Sequence, residues 1–234
     1  MDYGKAFGYY LNREGGTKSL LLASLTLASS AVIPIVGQMV FMGYQAEVCE
    51  DLERDPAIED HDDFKFEHFS RYLARGVWPF LMAFLVHAVA VGCFVASLAA
   101  GFALGYALQI PWLGFVSYFV LIVPISLLVS MASLPLMLHV QLTGKLRVGA
   151  AFAFATRFLG KLWGQCFVTL AIQMIISLPI IFGGMLLCCV GFYPAMAFVM
   201  LAQEHLTIQL YRIYLAEGGE PIGSAAEDAE YDDH

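Results

Sequence analysis

Charged residues are confined to short segments of this chain, and long apolar stretches separate them. Three stretches contain no Asp, Glu, Lys or Arg: Ser19 to Ala46, Gly76 to Gly144 and Leu162 to Gln203. A membrane-spanning helix needs about 20 mainly apolar residues in a row, so a long charge-free stretch is its usual sign. Each of the three stretches is therefore predicted to enter a lipid bilayer.

Glycine and proline interrupt each stretch near its middle, which predicts a turn between two helices. The predicted turns lie at Pro34 to Gly37, around Gln109 to Gly114, and from Gly183 to Gly191. Backbone polar groups in hydrocarbon must bond within the protein, so helices are expected here. The predicted fold class is an all-α integral membrane protein of about six transmembrane or re-entrant helices. They form three hairpins, each with an amphipathic interfacial helix leading into it.

The lengths of the stretches fit this arrangement unevenly. In the third stretch, Leu162 to Phe182 and Phe192 to Tyr211 are each long enough to cross the bilayer. The first stretch leaves about 12 residues per leg, or about 18 Å, against a hydrocarbon core of about 30 Å. It is either a re-entrant wedge or a hairpin whose legs continue through charged ends. The second has length to spare, but four prolines should kink or divide it: Pro79, Pro111, Pro124 and Pro135.

Composition supports a membrane location and gives it an orientation. The chain is 59% hydrophobic and 14% charged, with a mean hydropathy of +0.71, whereas about a quarter of residues are charged in ordinary soluble domains. The twelve Lys and Arg residues lie before Ser19, between Ala46 and Gly76, between Gly144 and Leu162, and at Arg212. All of these places lie on one side if each stretch returns to the face it left. The positive-inside rule makes that side the cytoplasm, with both termini on it.

The net charge of -8 comes from two acidic segments rather than from the whole surface. Residues 47–63 are predicted to form an acidic cytoplasmic loop, and residues 216–234 a disordered acidic tail. Residues 1–215 are treated as a single membrane domain, with hairpin units at about 2–54, 64–144 and 148–215. The patch from Glu59 to Asp63 lacks the spaced ligands and turn glycine of a calcium loop, so no metal site is predicted.

An amphipathic helix is predicted before each hairpin, and the first and third are alike. Tyr3-Gly4-Lys5-Ala6-Phe7 resembles Val148-Gly149-Ala150-Ala151-Phe152, which suggests an internal repeat. Such helices lie in the headgroup plane, with basic side chains toward phosphates and tryptophans at the interface. The residues predicted at the interface are Lys5, Arg13, Arg71, Arg157, Lys161, Trp78 and Trp163.

A row of small residues recurs every fourth position in the second stretch: Cys93, Ser97, Gly101 and Gly105. Small residues at this spacing let two helix backbones approach closely. The row is interpreted as an internal packing face, with a contact between copies of the chain as the alternative.

Several short motifs, in their order along the chain, resemble a known family. They are Asp2 to Phe7, Ile33-Pro34-Ile35-Val36-Gly37, Gly43-Tyr44, Asp62-Asp63-Phe64, Ala151-Phe152 and Cys188-Cys189-Val190-Gly191. The resemblance is to the prokaryotic membrane family catalogued as domain of unknown function 4013, over about residues 2 to 215. It implies a multi-pass protein of a prokaryotic cell membrane and carries over no catalytic residue.

Polar groups inside the apolar stretches are the candidate functional residues, because burying an ionisable group in a membrane is costly unless it is paired. A proton- or cation-handling cluster is hypothesised from Glu204, His205, His139 and Gln141. The alternatives for Glu204 are an ion pair with Arg157 or Lys161, and snorkelling to the interface. His87 and Gln173 are interpreted as lone polar groups bonded to neighbouring helices.

Other classes of function lack support in the sequence. The chain contains no GxSxG, GxxxxGK[ST] or HExxH motif and no GxGxxG after a strand, so we expect a non-enzymatic protein without cofactors. Its five cysteines show no metal-ligand spacing and are read as small hydrophobes. The sequence has no basic patch of the kind that would predict nucleic-acid binding. The lipid bilayer is the expected partner, and a homo-oligomer or a larger membrane complex is also considered.

Two functions fit these features. The first is a membrane-organising or scaffolding component, because short hairpins with flat amphipathic lead-ins displace more lipid on one leaflet. The second is a transporter or channel for a small solute, ion or lipid, because proline-broken helices and Glu204 near an inner mouth are common features of transport sites. An accessory subunit of a membrane complex is a further alternative.

Overall fold

The computed structural model describes residues 1–12, 15–55, 57, 61–187 and 191–223. Within these ranges the chain is helical and has no β-strand. Three segments are long and apolar enough to cross a bilayer, which indicates a membrane protein: Phe66–Ala107, Tyr118–Thr143 and Val148–Leu186. The helices are α1 (Tyr3–Asn12), α2 (Gly16–Ser29), α3 (Pro34–Arg54), α4 (Phe69–Ala107), α5 (Pro111–Thr143), α6 (Val148–Leu186) and α7 (Phe192–Ala216), and a 3-10 turn, Phe66–His68, precedes α4.

The break between α2 and α3 differs from the sequence prediction. The turn predicted from Pro34 to Gly37 is wrong, because Pro34 begins α3 and residues 30–33 separate the helices. Proline suits the first helical position, since its fixed φ is helical and its missing N–H has no partner there. With 21 residues, α3 is about 32 Å long and runs through the acidic segment to Arg54. With 14 residues, α2 is only about 21 Å long.

Residues 108–110 separate α4 from α5, at the edge of the predicted second turn. Gln109 there has a φ of 55°, in the left-handed region, and Pro111 occupies the first turn of α5. Pro79, Pro124 and Pro135 lie inside continuous helices. Of the four prolines expected to kink or divide this stretch, Pro111 is therefore the one at a helix boundary.

A local change of backbone conformation divides α6 at Leu162, where φ is -115° and ψ is 17°. The part before Leu162 corresponds to the predicted amphipathic lead-in, and the part after it to the apolar leg that the sequence predicts from Leu162. Beyond α6, α7 begins at Phe192, where the sequence also predicts a helix. Cys188 and Cys189 lie outside the described residues.

Contacts show that α4 and α5 lie side by side in opposite directions. Met82 packs in one apolar cluster with Leu136 and Val140, whereas the Phe102 and Phe115 ring centroids are 5.3 Å apart near the connecting break. The row of small residues on α4 lies in this part of the helix. Its members Ser97, Gly101 and Gly105 are buried within the chain itself, and Cys93 is half-buried. This burial fits the internal-packing interpretation of the row.

The N-terminal helix α1 packs against α7. Ala6 is fully buried, the Phe7 and Phe198 rings are 6.1 Å apart, and the Asp2 backbone N–H donates to Gln209 Oε1 at 2.6 Å. Lys5 Nζ donates to the Ala57 carbonyl at 2.5 Å. This helix is therefore part of the folded core on one face, and Arg13, the other base predicted at its interface, lies outside the described residues.

The two tryptophans predicted at the interface lie on the surface of the long helices. Trp78 on α4 is 40% exposed and Trp163 on α6 is 67% exposed. Trp163 directly follows the conformational change at Leu162, where the lead-in passes into the apolar leg. These positions suit an amphipathic ring between lipid and water.

The backbones of α3 and α4 approach each other closely at a pair of glycines, Gly43 and Gly76. A Cβ on Gly43 would overlap the Tyr72 carbonyl, and a Cβ on Gly76 would overlap the Met39 carbonyl. Both obstructing atoms belong to backbone, which cannot swing away as a flexible side chain can. The two helices therefore touch at a crossing that only glycine permits on both sides.

We expect Gly43→Ala and Gly76→Ala each to lower the free energy of unfolding by at least about 2 kcal/mol, because the added methyl groups force the helix backbones apart. Equilibrium unfolding of the purified protein in mixed SDS micelles measures this. The matched control is Gly92→Ala on α4, whose added Cβ meets no atom within 4 Å. It should change stability by less than about 0.5 kcal/mol. Equal stability of all three variants would contradict the glycine crossing.

Candidate functional site

Glu204 lies on α7 in the interior of the helix bundle, with 8% of its surface exposed. Two side-chain amides donate to the same carboxylate oxygen, Oε1. Gln45 Nε2 on α3 lies 3.0 Å from it, and Gln141 Nε2 on α5 lies 2.9 Å from it. Three helices thus converge on one acidic side chain through neutral hydrogen-bond donors.

A cavity of about 170 Å³ adjoins this carboxylate, with walls from α3, α4, α5 and α7. Besides Glu204, Gln45 and Gln141, its polar lining consists of His87, Ser133, Gln203 and Thr207. The other six lining residues are apolar, and three of them are methionines. They are Met42, Ala83, Val86, Leu134, Met137 and Met200. Most of the wall surface, by area, is apolar. A cavity with such a wall and a few convergent polar groups is the usual form of a small-molecule site.

Hydrogen bonds to residues on the same or neighbouring helices hold several polar side chains of the cavity. Gln173 Nε2 on α6 donates to Gln203 Oε1 at 3.2 Å, and Thr207 Oγ1 donates to the Gln203 carbonyl at 2.8 Å. His87 Nδ1 lies 2.7 Å from the Ala83 carbonyl on its own helix. Thus Gln173, one of the lone polar groups of the sequence, links α6 to the cavity, and His87 lines it.

Of the four residues in the hypothesised cluster, Gln141 donates to Glu204, whereas the contacts described for the two histidines are with other residues. His205 Nδ1 lies 3.1 Å from Gln209 Nε2, and its ring centroid is 5.8 Å from that of Tyr9. The His139 ring centroid is 5.9 Å from that of Phe154.

Helical geometry explains this separation. Successive residues of an α-helix point about 100° apart, so His205 points away from Glu204 on the side opposite Gln203, and His139 points about 200° from Gln141. Most of the cavity residues on α5 and α7 recur every three or four positions: Ser133, Met137 and Gln141 on α5, and Met200, Glu204 and Thr207 on α7, with Leu134 and Gln203 beside them. This spacing is a signal in the sequence that would have included Ser133 and Thr207. Gln45 and Gln203 are uncharged residues in apolar stretches and were not singled out.

The basic residues considered as partners of Glu204 have other contacts. Lys161 Nζ donates to the Glu217 and Gly218 carbonyls at 3.0 and 2.8 Å, and Arg157 Nε is 3.7 Å from Glu220 Oε2. No lysine or arginine is present among the described residues that line the cavity. The ion-pair alternative therefore does not describe this structure.

Ion pairs do form at the end of α3, where it meets the start of α4. Arg71 pairs with Glu47, and Glu50 pairs with both Arg54 and Arg75. Glu50 and Glu204 have different surroundings. Glu50 has fixed basic partners, whereas the described partners of Glu204 are neutral amides.

The described part of the chain holds no group of three or more His, Cys, Asp and Glu residues arranged to bind a metal ion. In the acidic patch, Glu59 and Asp60 lie outside the described residues, and the His61 ring packs 5.2 Å from that of Tyr9. Cys49 and Cys166 are buried in the helical core.

Comparisons with known proteins complete these observations. None of the curated proteins and none of the solved structures matches this chain. A family model matches residues 26–202. These include the glycine pair at Gly43 and Gly76 and the cavity residues from Met42 to Met200, whereas Glu204 lies two residues beyond the match. That family is described as Protein of unknown function (DUF4013), and because the match covers more than half of the 234 residues, the chain belongs to it.

Proposed function

We propose that this protein is a multi-pass membrane transport protein that binds a small polar solute at Glu204. The observation that carries the proposal is a buried carboxylate, held by two amide donors, beside a cavity between four helices. Ionisable groups in the interior of membrane helices are costly, and they typically mark substrate or ion pathways. No step of catalysis is part of this proposal.

Transport also requires a defined orientation in the bilayer. We propose three hairpins in a prokaryotic cell membrane, with both termini in the cytoplasm. Contacts between charged segments that are distant in sequence support this orientation, because they place these segments at the same end of the helices. Arg212 donates to the carbonyls of Leu52, Glu53 and Asp55. Lys161 contacts the segment after α7, and Lys5 contacts Ala57.

In this orientation, Trp112 and Lys145 lie on opposite sides of the membrane. We expect a cysteine at position 112, in a background without the five native cysteines, to react with an impermeant maleimide added to intact spheroplasts. A cysteine at position 145 should react only after the membrane is permeabilised. Labelling of both positions from the same side would contradict the hairpin arrangement.

Removing the charge of Glu204 should abolish transport with little change of shape. We expect Glu204→Gln to reduce solute flux at least tenfold, because the amide keeps the size of the side chain but cannot supply a negative charge to the transported species. Flux into proteoliposomes is measured with rubidium ions, radiolabelled methylammonium and radiolabelled glycerol, each against empty liposomes.

The matched control for this experiment is Glu53→Gln. It makes the same chemical change on α3, outside the residues that line the cavity. The control should retain flux. Absence of flux for all three probes in the native protein would count against transport, and equal flux in both variants would remove Glu204 from the proposed site.

A membrane-organising role is the second candidate, and the length of α2 favours it. At about 21 Å, this helix is shorter than the hydrocarbon core of about 30 Å. Among the described residues, the segments that are both long and apolar enough to span the bilayer lie between Phe66 and Leu186. A shallow N-terminal part displaces lipid mainly in one leaflet, which favours curvature.

We expect liposomes containing an organising protein to become tubular or smaller in electron micrographs as the protein-to-lipid ratio rises. The physical reason is that each inserted copy widens one leaflet more than the other. Vesicles that keep their shape, together with strictly monomeric protein, would exclude this second role.

A further inference from the structure

We propose that the Glu204 cavity recognises a primary ammonium group, carried either by a small alkylamine or by the headgroup of an amine-bearing lipid. This inference rests on the proposed function and names the chemistry of its solute. It is drawn from the hydrogen-bonding groups, the charge and the walls of the cavity.

The hydrogen bonds around Glu204 leave two acceptor atoms beside the cavity without a described donor. Both amide donors bind Oε1, and no described residue donates to Oε2. Gln141 is 1% exposed, and its carbonyl oxygen is buried without a hydrogen-bond partner while its NH₂ group binds Glu204. Buried polar atoms are normally satisfied, so an unpaired acceptor beside a cavity indicates a ligand with N–H or O–H donors.

The charge of the site selects among such ligands. Glu204 is acidic, and no described lysine or arginine lines the cavity. A buried carboxylate without a fixed counter-charge is strongly destabilising, whereas one that receives a cationic hydrogen-bond donor is compensated. A neutral alcohol could donate a hydrogen bond to these acceptors but would not compensate the negative charge of Glu204. An anion would be repelled by that charge.

The walls of the cavity do not suit hard metal cations or quaternary ammonium ions. Dehydrated Ca²⁺ and Mg²⁺ need about six oxygen ligands, whereas Met42, Met137 and Met200 contribute thioethers and alkyl surface. A quaternary ammonium has no N–H group, so it would leave both acceptors unpaired, and sites for such ligands are built from aromatic faces. No Phe, Tyr or Trp is among the described residues that line this cavity. Methionine side chains adapt readily to a short alkyl chain.

The size and position of the cavity admit two sources of the ammonium group. A cavity of about 150 Å³ can hold a benzene molecule, so about 170 Å³ accommodates a small alkylamine. His87 both lines the cavity and is exposed on α4, one of the helices long enough to span the bilayer. The cavity therefore reaches the surface beside His87, where a lipid headgroup has access from the side.

Thermal unfolding of the full chain in nanodiscs tests this proposal. In phosphatidylcholine–phosphatidylglycerol nanodiscs, which contain no primary amine, the unfolding midpoint is measured with ethylammonium chloride, tetramethylammonium chloride or potassium chloride at equal concentration. A second arm replaces the phosphatidylcholine with phosphatidylethanolamine and adds no salt ligand. Ethylammonium, the ethanolamine lipid, or both should raise the midpoint above the potassium reference, and tetramethylammonium should not.

The pattern across the two arms identifies the source. A shift with ethylammonium alone indicates a soluble amine, and a shift with phosphatidylethanolamine alone indicates a lipid headgroup. No shift in either arm, or an equal shift with tetramethylammonium, would overturn the assignment of the ligand class.

Variants link the shift to the proposed acceptors. Gln141→Leu removes the unpaired side-chain carbonyl and should weaken ammonium binding at least threefold. Glu204→Gln should weaken ammonium binding at least tenfold. Glu53→Gln should bind as the native chain does. Because Gln141→Leu also removes one donor to Glu204, circular dichroism and size-exclusion profiles of each variant must match those of the native protein. Unchanged affinity in folded Gln141→Leu and Glu204→Gln would overturn the site.

This experiment separates the two proposals. Ammonium binding without flux of any probe would sustain the ligand assignment and remove the transport function. Flux that depends on Glu204, without any ammonium-dependent shift, would sustain transport and overturn the ligand class.

Discussion

The cost of placing charge in hydrocarbon governs the arrangement of this protein. Its twelve bases are confined to a few segments, and several of them contact carbonyls or carboxylates of other such segments. Arg212 binds the carbonyls at the end of α3, and Lys161 binds those after α7. Apolar helices therefore extend away from charged ends that also bond to one another.

Close packing supplements this separation of charge. Between helices surrounded by lipid, association depends on van der Waals contact and on hydrogen bonds, because lipid tails are as apolar as the side chains. At Gly43 and Gly76 the backbones of α3 and α4 touch. On the same two helices, Arg71 with Glu47 and Arg75 with Glu50 form ion pairs between α4 and α3. A glycine crossing and a charged clamp thus fix the position of α3, which carries Gln45 to the Glu204 cavity.

Glu204 is the exception to the separation of charge, and this is why the proposed function rests on it. Its environment combines amide donors with a methionine-rich wall and no described lysine or arginine. A carboxylate that only stabilised the fold would gain more from a fixed basic partner, as Glu47 and Glu50 have. An acid that is hydrogen-bonded yet left without a counter-charge suits a cation that comes and goes. The short α2 contributes none of the described residues that line the cavity, so the organising role rests on a separate observation.

The sequence by itself determined the helical membrane class, the family, and where several of the helices begin or end. The membrane class and the helix ends follow from the length of the charge-free stretches, from the Gly and Pro positions and from the apolar periodicity. The family follows from the resemblance of short motifs in their order, and all of these features are local along the chain. The turn at Pro34 was misplaced because proline is compatible with both a turn and the first position of a helix. Glu204 and Gln141 could be named from sequence, since polar residues in apolar stretches are conspicuous. Only the tertiary structure decided that Gln45 completes the site and that His139 and His205 face elsewhere. Side-chain direction depends on how each helix is rotated against its neighbours, and that rotation is set by contacts between residues far apart in the chain.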